Sequence, residues 1–256
     1  IRFPTKITGY YETFIDYKDK IETIERFGVN LSQHVRFQER SFFETKSVWE
    51  SFSDRSESKE NIEQRSIGFK FNLDRKNDPL FTRKGYLFSC LFKSAGYLLG
   101  GERDYLKADF TYQTYIQSGN RSVFAVRLKA GRLWGWNDND VDYSYEKFYL
   151  GGSTSMRGWE VLRFEESGGE PVGDAIRFMT NVEYRFPVYK LLGLTFFVDG
   201  GLLADHMENV SLGLVKWDAG LGLTIQTPLG PARLDYAIQT GDFNERKIQL
   251  GVQNLF

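Results

Sequence analysis

One stretch in the middle of the chain, Phe148 to Trp159, reads FYLGGSTSMRGW and carries a single guanidinium, Arg157, between Met156 and Gly158. An arginine offers a planar fork of donors that seeks a carboxylate in two-point contact. A loop bearing it can be pinned wherever an acidic side chain waits on a facing element. Gly151 and Gly152 read as turn residues, and Gly158 as a point where backbone can pack tightly beside Arg157. Residue types suited to catalysis are sparse. The only histidines are His34 and His206, and they form no nucleophile–His–carboxylate pattern that can be placed on one face. Cys90 alone supports neither an intramolecular disulfide nor a Cys-rich zinc site, and it reads as a small apolar strand residue. The expectation is a protein that is not an enzyme, with no metal site and no cofactor.

Composition narrows the setting in which such a loop works. Across 256 residues, 33 Lys+Arg nearly balance 34 Asp+Glu. The net charge of −1 supplies no basic field for nucleic acid. No apolar run approaches the ~20 residues of a membrane-spanning helix. The start IRFPTKITGYY lacks a signal-peptide pattern, so any export signal is expected upstream or already removed. Yet 22 Phe, 14 Tyr and 5 Trp make 16% of a chain whose mean hydropathy is −0.42. Abundant rings in a polar chain need a place to go.

The elements that would position Arg157 are strands. Ile176, Phe178, Thr180, Val182, Tyr184, Phe186 and Val188 alternate with Arg177, Met179, Asn181, Glu183, Arg185 and Pro187, so one face is apolar and the other polar. The same two-residue period recurs in SIGFKFNLD, SVFAVRLKAG, WDAGLGLTIQTP, PARLDYAIQT and RKIQLGVQNLF. About twelve such segments are expected, near 5–17, 23–37, 41–53, 61–74, 85–99, 105–117, 121–135, 174–188, 192–204, 215–227, 231–240 and 246–256. Short turns (DRKND, PVYK, TPLG) alternate with longer connections at 137–173 and 204–214. Repeated ~10-residue alternating segments with short turns at one end and long loops at the other mark an all-β transmembrane antiparallel β-barrel. Tyr86, Phe88, Trp134, Trp136, Tyr184, Phe186, Trp217 and Phe256 would supply its interfacial girdles. A soluble sandwich or lipocalin-like barrel also alternates, and alternation alone does not say which face is inside. Strand number and length favour the membrane barrel.

On that reading Leu194, Phe196 and Val198 face lipid, which turns Thr195, Phe197 and Asp199 inward. Asp199, followed by two glycines that leave room for close approach, is the expected partner of Arg157, with Glu183 second. A loop of about 37 residues, such as the one that holds Arg157, is usually functional or disordered.

The stretch GGSTSMRGW resembles the G-G-x-x-x-(V/L/I)-R-G-(F/Y) motif of the BamA/TamA outer-membrane insertase family, also called the bacterial surface antigen family. NDPLFTRKGY at 77–86 is similar to its N-P-x-x-P-T-(R/K)-G turn, TFFVDGG at 195–201 to its aspartate-bearing strand, and TPLGPARLDYAI with KIQLGVQNLF to its closing strands. Met156 stands where Val or Leu is commoner, Trp159 where Phe or Tyr is, and Phe81 where Pro is. The resemblance implies a sixteen-stranded barrel preceded by periplasmic POTRA domains, with the arginine loop folded into the lumen. This chain would supply the last twelve strands as one domain, 1–256, with the first strands and POTRA domains outside it. A naturally smaller barrel is the physical alternative.

The resemblance also implies a bacterial outer-membrane location and partners: the bilayer with its lipopolysaccharide, unfolded outer-membrane proteins, POTRA domains and accessory lipoproteins. A seam strand would comprise Ile248, Leu250, Gly251, Val252 and the terminal Phe256. Opening of that seam exposes a hydrogen-bonding template, and Gly251 would either weaken it or serve packing. The membrane anchor of a fused secreted domain and a porin-like barrel are the alternative functions.

Overall fold

The computed structural model describes residues 4–15, 23–54, 61–119, 121–135, 146–228 and 230–252. Its strands are β1 (Thr5–Ile15), β2 (Thr23–Gln38), β3 (Ser41–Asp54), β4 (Asn61–Asp74), β5 (Gly85–Ala95), β6 (Tyr105–Ser118), β7 (Ser122–Gly135), β8 (Glu166–Ser167), β9 (Glu170–Pro171), β10 (Ile176–Tyr189), β11 (Leu192–Ala204), β12 (Lys216–Thr227), β13 (Gly230–Gln239) and β14 (Arg246–Val252). Twelve of them form one sheet in the order β1-β2-β3-β4-β5-β6-β7-β10-β11-β12-β13-β14, and β8-β9 form a separate ribbon. The twelve expected segments are these twelve strands. Neighbours in sequence are neighbours in space, as short antiparallel connections dictate.

Three local differences have physical causes. The segment expected at 85–99 ends at Ala95, because Gly96 turns into left-handed backbone and Tyr97–Leu99 forms a single 3₁₀ turn. PVYK is not a turn. Pro187 sits in β10 opposite Gly193, before a register shift, and the chain reverses at Lys190. Pairing of β10 with β7 reaches only Arg185↔Val123, so Pro187 lies beyond β7, where its missing N–H costs no ladder bond. The long loop also holds an unexpected hairpin, β8 and β9, whose connection Gly168–Gly169 has two positive φ angles suited to a primed turn. Residues 16–17, Trp136 and Phe256 lie outside the described residues.

The chain forms two compact units. The first holds Ile1–Leu73, Ser89–Ala108 and Leu133–Asp142. Within it Glu50, Ser51, Gln64 and Ser66 are buried while Trp49, Ile67 and Phe69 are exposed. Glu50 accepts from the Tyr10 hydroxyl at 2.5 Å, and Gln64 donates to the Tyr105 hydroxyl at 2.7 Å. The second unit holds Asp74–Phe88, Asp109–Arg132 and Tyr143–Phe256. There Phe196 is 51% and Val198 42% exposed while Asp199 between the strand's two ends is 0% exposed. Arg127, Asn181, Glu183, Asp218 and Asp235 are buried, and Leu128, Phe178, Leu221 and Leu234 are exposed.

Each unit is thus inside-out relative to a water-soluble protein, where charge is solvated and large aliphatic side chains are withdrawn. A sheet with an apolar outer face and a polar covered face matches a lipid-facing barrel wall. That distribution removes the soluble sandwich. It predicts that Leu128→Arg, on the exposed face of β7, lowers unfolding free energy in lipid vesicles by about 2–4 kcal/mol, read by denaturant titration. Unchanged stability would place that face away from hydrocarbon.

Candidate functional site: an arginine latch on the polar face

The loop after β7 enters the second unit through a two-way backbone bridge between Phe148 and Asp174, at 2.8 and 3.0 Å. It then coils tightly. The Gly152 N–H donates to the carbonyls of Met156 and Trp159 at 3.0 and 3.1 Å. The Ser155 hydroxyl accepts from the Gly151 N–H at 2.8 Å and donates to the Gly151 carbonyl at 2.9 Å. Gly151 has φ +113°, and a side chain there would strike the Glu160 carbonyl. Its glycine is therefore a requirement of the coil, more than the flexible turn that the sequence suggests. Leu150, Met156, Trp159 and Phe164 close over Met179 of β10 as a small apolar cluster, which fixes the coil against the sheet by burial.

This placement drives Arg157 into the polar face, where it is fully buried. Its Nε and Nη2 donate to the two oxygens of Asp199, each at 2.7 Å, and Nη1 donates to Glu183 Oε1 at 2.6 Å. The Arg157 backbone N–H adds a bond to Asp199 at 3.3 Å, and the guanidinium carbon lies 3.5 Å from the centre of the Phe197 ring. Both sequence-derived partners are thus engaged at once, with Asp199 taking the two-point contact. Gly158 follows with its N–H donating to Asp218 Oδ2 at 2.9 Å, and a Cβ there would lie 2.7 Å from the Asp218 Cβ. Close approach is the reason for this glycine.

Around the fork the polar face is a charge network. Glu183 Oε2 accepts from Arg185 at 2.6 Å, Asp235 accepts from Arg233 at 2.6 Å, and Asn181 links Asp199 at 2.8 Å to Arg127 at 2.9 Å. Four guanidinium groups, Arg127, Arg157, Arg185 and Arg233, meet four carboxylates, Glu183, Asp199, Asp218 and Asp235. Burying any one charge costs several kcal/mol, and the opposite charges of this set offset that cost, with Asp218 Oδ1, Asp235 Oδ1 and Arg233 Nη1 left without a hydrogen-bond partner among the described residues.

The strands also hold the loop by its backbone. Arg233 donates to the Ser153 carbonyl at 2.9 Å, Arg127 to Thr154 at 2.9 Å and Asn181 to Ser155 at 2.7 Å. Gln239 donates to the Gly158 carbonyl at 2.8 Å and Gln249 to that of Trp159 at 2.9 Å. Asp218, Asp235, Arg127, Arg233, Gln239 and Gln249 are partners that sequence reading did not nominate. Their signal was present, since each sits at the polar phase of an alternating strand. Alternation assigns a face, however, and gives no height along it.

The seam residues Ile248, Leu250 and Val252 are exposed on β14, which is last in the sheet order. Gly251 pairs with Arg233, and a Cβ there would lie 3.3 Å from Arg233 Nη2. It clears space for the arginine that holds Ser153, which supports the packing role. Phe256 falls outside the described residues.

Together these features define a transmembrane antiparallel β-strand protein with a loop latched to its polar face. The model of the Omp85 superfamily domain matches residues 9–256, and the chain belongs to that superfamily of outer-membrane β-barrels. It is 29% identical over 174 residues to the outer membrane protein assembly factor BamA of Nitratidesulfovibrio vulgaris, covering 65% of this chain and 22% of that protein. To the mouse sorting and assembly machinery component 50 homolog it is 26% identical, covering 79% of this chain and 47% of the relative. In fold it is similar to the crystal structure of BamA from Haemophilus ducreyi lacking POTRA domains 1-3. The TM-score is 0.78 at 15% identity, with 96% of this chain and 57% of the other covered. The chain spans about half or less of the length of these curated relatives.

Arg157→Ala should lower stability by about 3–5 kcal/mol, because it leaves Asp199 and Glu183 buried without their partner. It should also expose residues 148–165 to protease. Asp199→Asn should weaken the same latch, and the double variant should cost less than the sum. Additive losses, or a loop as protected as before, would show that Arg157 does not pin it. Gly158→Ala should cost about 1–3 kcal/mol by overpacking against Asp218, read by the same denaturant titration.

Proposed function

We propose that this chain is the barrel portion of an outer-membrane protein insertase or translocator. The observation that carries the reading is the superfamily match over residues 9–256 together with relatives named as assembly factors and sorting-and-assembly components. On this reading the described strands are the last twelve of a sixteen-stranded barrel in a bacterial outer membrane, with POTRA domains preceding it. The loop at 137–173 folds into the lumen, and the bilayer with its lipopolysaccharide surrounds the apolar face. Its clients are unfolded outer-membrane proteins, and accessory lipoproteins assist. The chain does no covalent chemistry.

The work is done by strand pairing. A polar backbone cannot cross hydrocarbon unpaired, so a client strand gains most from an edge that already presents N–H and C=O groups at membrane depth. The outer edge of β14, from Ile248 to Val252, is that template, and local thinning of the bilayer beside it lowers the cost of insertion. The latch has a route to this edge. Gln249 of β14 holds the Trp159 carbonyl, and Lys247 of β14 reaches Glu160 at 2.9 Å. The Arg157 loop therefore braces the seam strand from the lumen.

Vesicles containing the protein should accelerate folding of a urea-diluted outer-membrane barrel client by roughly tenfold over empty vesicles, equivalent to ~1.4 kcal/mol off the barrier. Protease protection and the mobility of the folded client on gels report it. Arg157→Ala should remove most of the gain. Solute conductance with no acceleration would replace this reading with a porin-like barrel.

A further inference from the structure

Asp199 and Glu183 give both of their oxygens to the latch network. Below it, toward the short turns of the second unit, the polar face opens into a cavity of about 400 Å³. Four cations from four separate segments line this cavity: Arg83 of the β4–β5 turn, Arg121 just before β7, Arg185 of β10, and Lys190 of the β10–β11 turn. Among the described residues no carboxylate lines it. Arg83, Arg121 and Lys190 are exposed at this wall and Arg185 is half-buried, and positive charge gathered around a concavity raises the local concentration of anions. Lys190 sits there on left-handed backbone, φ 45°, a conformation that disfavours a residue with a side chain. Glycine or asparagine would relieve it, and the chain carries a lysine instead.

Between the cations the wall presents apolar Phe81 and Val123 and the neutral polar Thr195, Thr224 and Gln226. This mixture suits a polypeptide, whose backbone amides and alternating side chains can use all three surfaces, better than it suits an inorganic anion. The cavity is also joined to the latch. Arg185 closes on Glu183 Oε2 at 2.6 Å, and the other oxygen of Glu183 accepts from Arg157 at 2.6 Å.

We propose that this cavity is a binding site for an acidic segment of an extended polypeptide entering from the short-turn end. It deepens the assembly reading by naming a recognition site for the unfolded client. An acidic side chain there shares Arg185 with Glu183, and so reaches the latch through one carboxylate.

The test uses the whole protein in lipid nanodiscs and a short fluorescent peptide of Asp, Glu and Ala, with its Asn/Gln counterpart as control. The acidic peptide should bind, and roughly tenfold tighter than the neutral one at low salt, with the difference shrinking as salt screens the cations. Arg121→Gln with Lys190→Asn should weaken binding roughly tenfold. Asn tolerates the left-handed backbone, so this variant should fold normally, and Arg83→Gln provides a second, independent variant in another segment. Equal binding of the neutral peptide, or unchanged binding in both variants, would overturn the site. Displacement of the peptide by equimolar inorganic phosphate would make it a small-anion site and overturn the polypeptide assignment. Binding is read without any client folding. Accelerated folding with no peptide binding therefore sinks this site alone, while peptide binding with no acceleration sinks the assembly reading alone.

Discussion

A fully buried arginine that satisfies two carboxylates is the constraint on which the rest of this structure depends. Once Arg157 is withdrawn from water, Asp199 and Glu183 must stand on adjacent strands at the right height, because an isolated guanidinium in that position would be intolerable. Asp199 is directly opposite Asn181 in the β10–β11 register, and Glu183 is one inward position further along. The pairing register of two strands is therefore tied to the loop. A slip of one residue between β10 and β11 would leave one of the two carboxylates facing lipid, so the latch and the sheet each specify the other.

The same constraint explains the glycines. Bringing an arginine backbone down onto a sheet requires that nothing stand between them. Gly158 lets the loop backbone reach Asp218, and Gly201 receives Met156, whose sulfur would be 2.9 Å from any added Cβ. Gly222 stands beside Asp235, and Gly251 beside Arg233. On β11 to β14 the small residues thus accompany the charged ones, and the network occupies the volume that they vacate. Strand glycine ordinarily weakens a sheet. Here that loss is offset by the buried contacts it permits.

Much of this was legible in the sequence, and the reason is the strict two-residue period. Alternation placed all twelve sheet strands, and put Asp199 and Glu183 on the face opposite Phe196 and Tyr184. Whether that face was wet or dry was not legible, since a period carries no sign. It took the burial of Glu183 and the exposure of Phe196 to settle it. Pro187 belongs in sequence both to the strand segment 174–188 and to the start of the PVYK turn; the strand reading is the right one, and the proline's tolerance in β10 depends on where the neighbouring strand stops. Asp218 and Asp235 were on the right face without being assigned to Arg157. Their nearness to it depends on strand stagger, which is a property of two chain segments together.

The loop's own sequence is less constrained than its motif suggests. Apart from Arg157 and the coil-forming residues, the sheet grips main-chain carbonyls: those of Ser153, Thr154, Ser155, Gly158 and Trp159 each accept from a side chain on β7, β10, β13 or β14. A carbonyl is the same on every residue. The hydroxyls of Ser153 and Thr154 are therefore replaceable, whereas Arg127, Asn181, Arg233, Gln239 and Gln249 are the specific half of each bond. Chemical identity is needed on the strands at these five positions as well as at Asp199 and Glu183, and in the loop at Arg157 and at the glycines Gly151 and Gly158. A departure such as Met156 or Trp159 from the commoner motif residues is absorbed in the apolar cluster with Leu150 and Met179, where shape can be repacked. The guanidinium has no such substitute, because only its fork meets both oxygens of Asp199 while reaching Glu183.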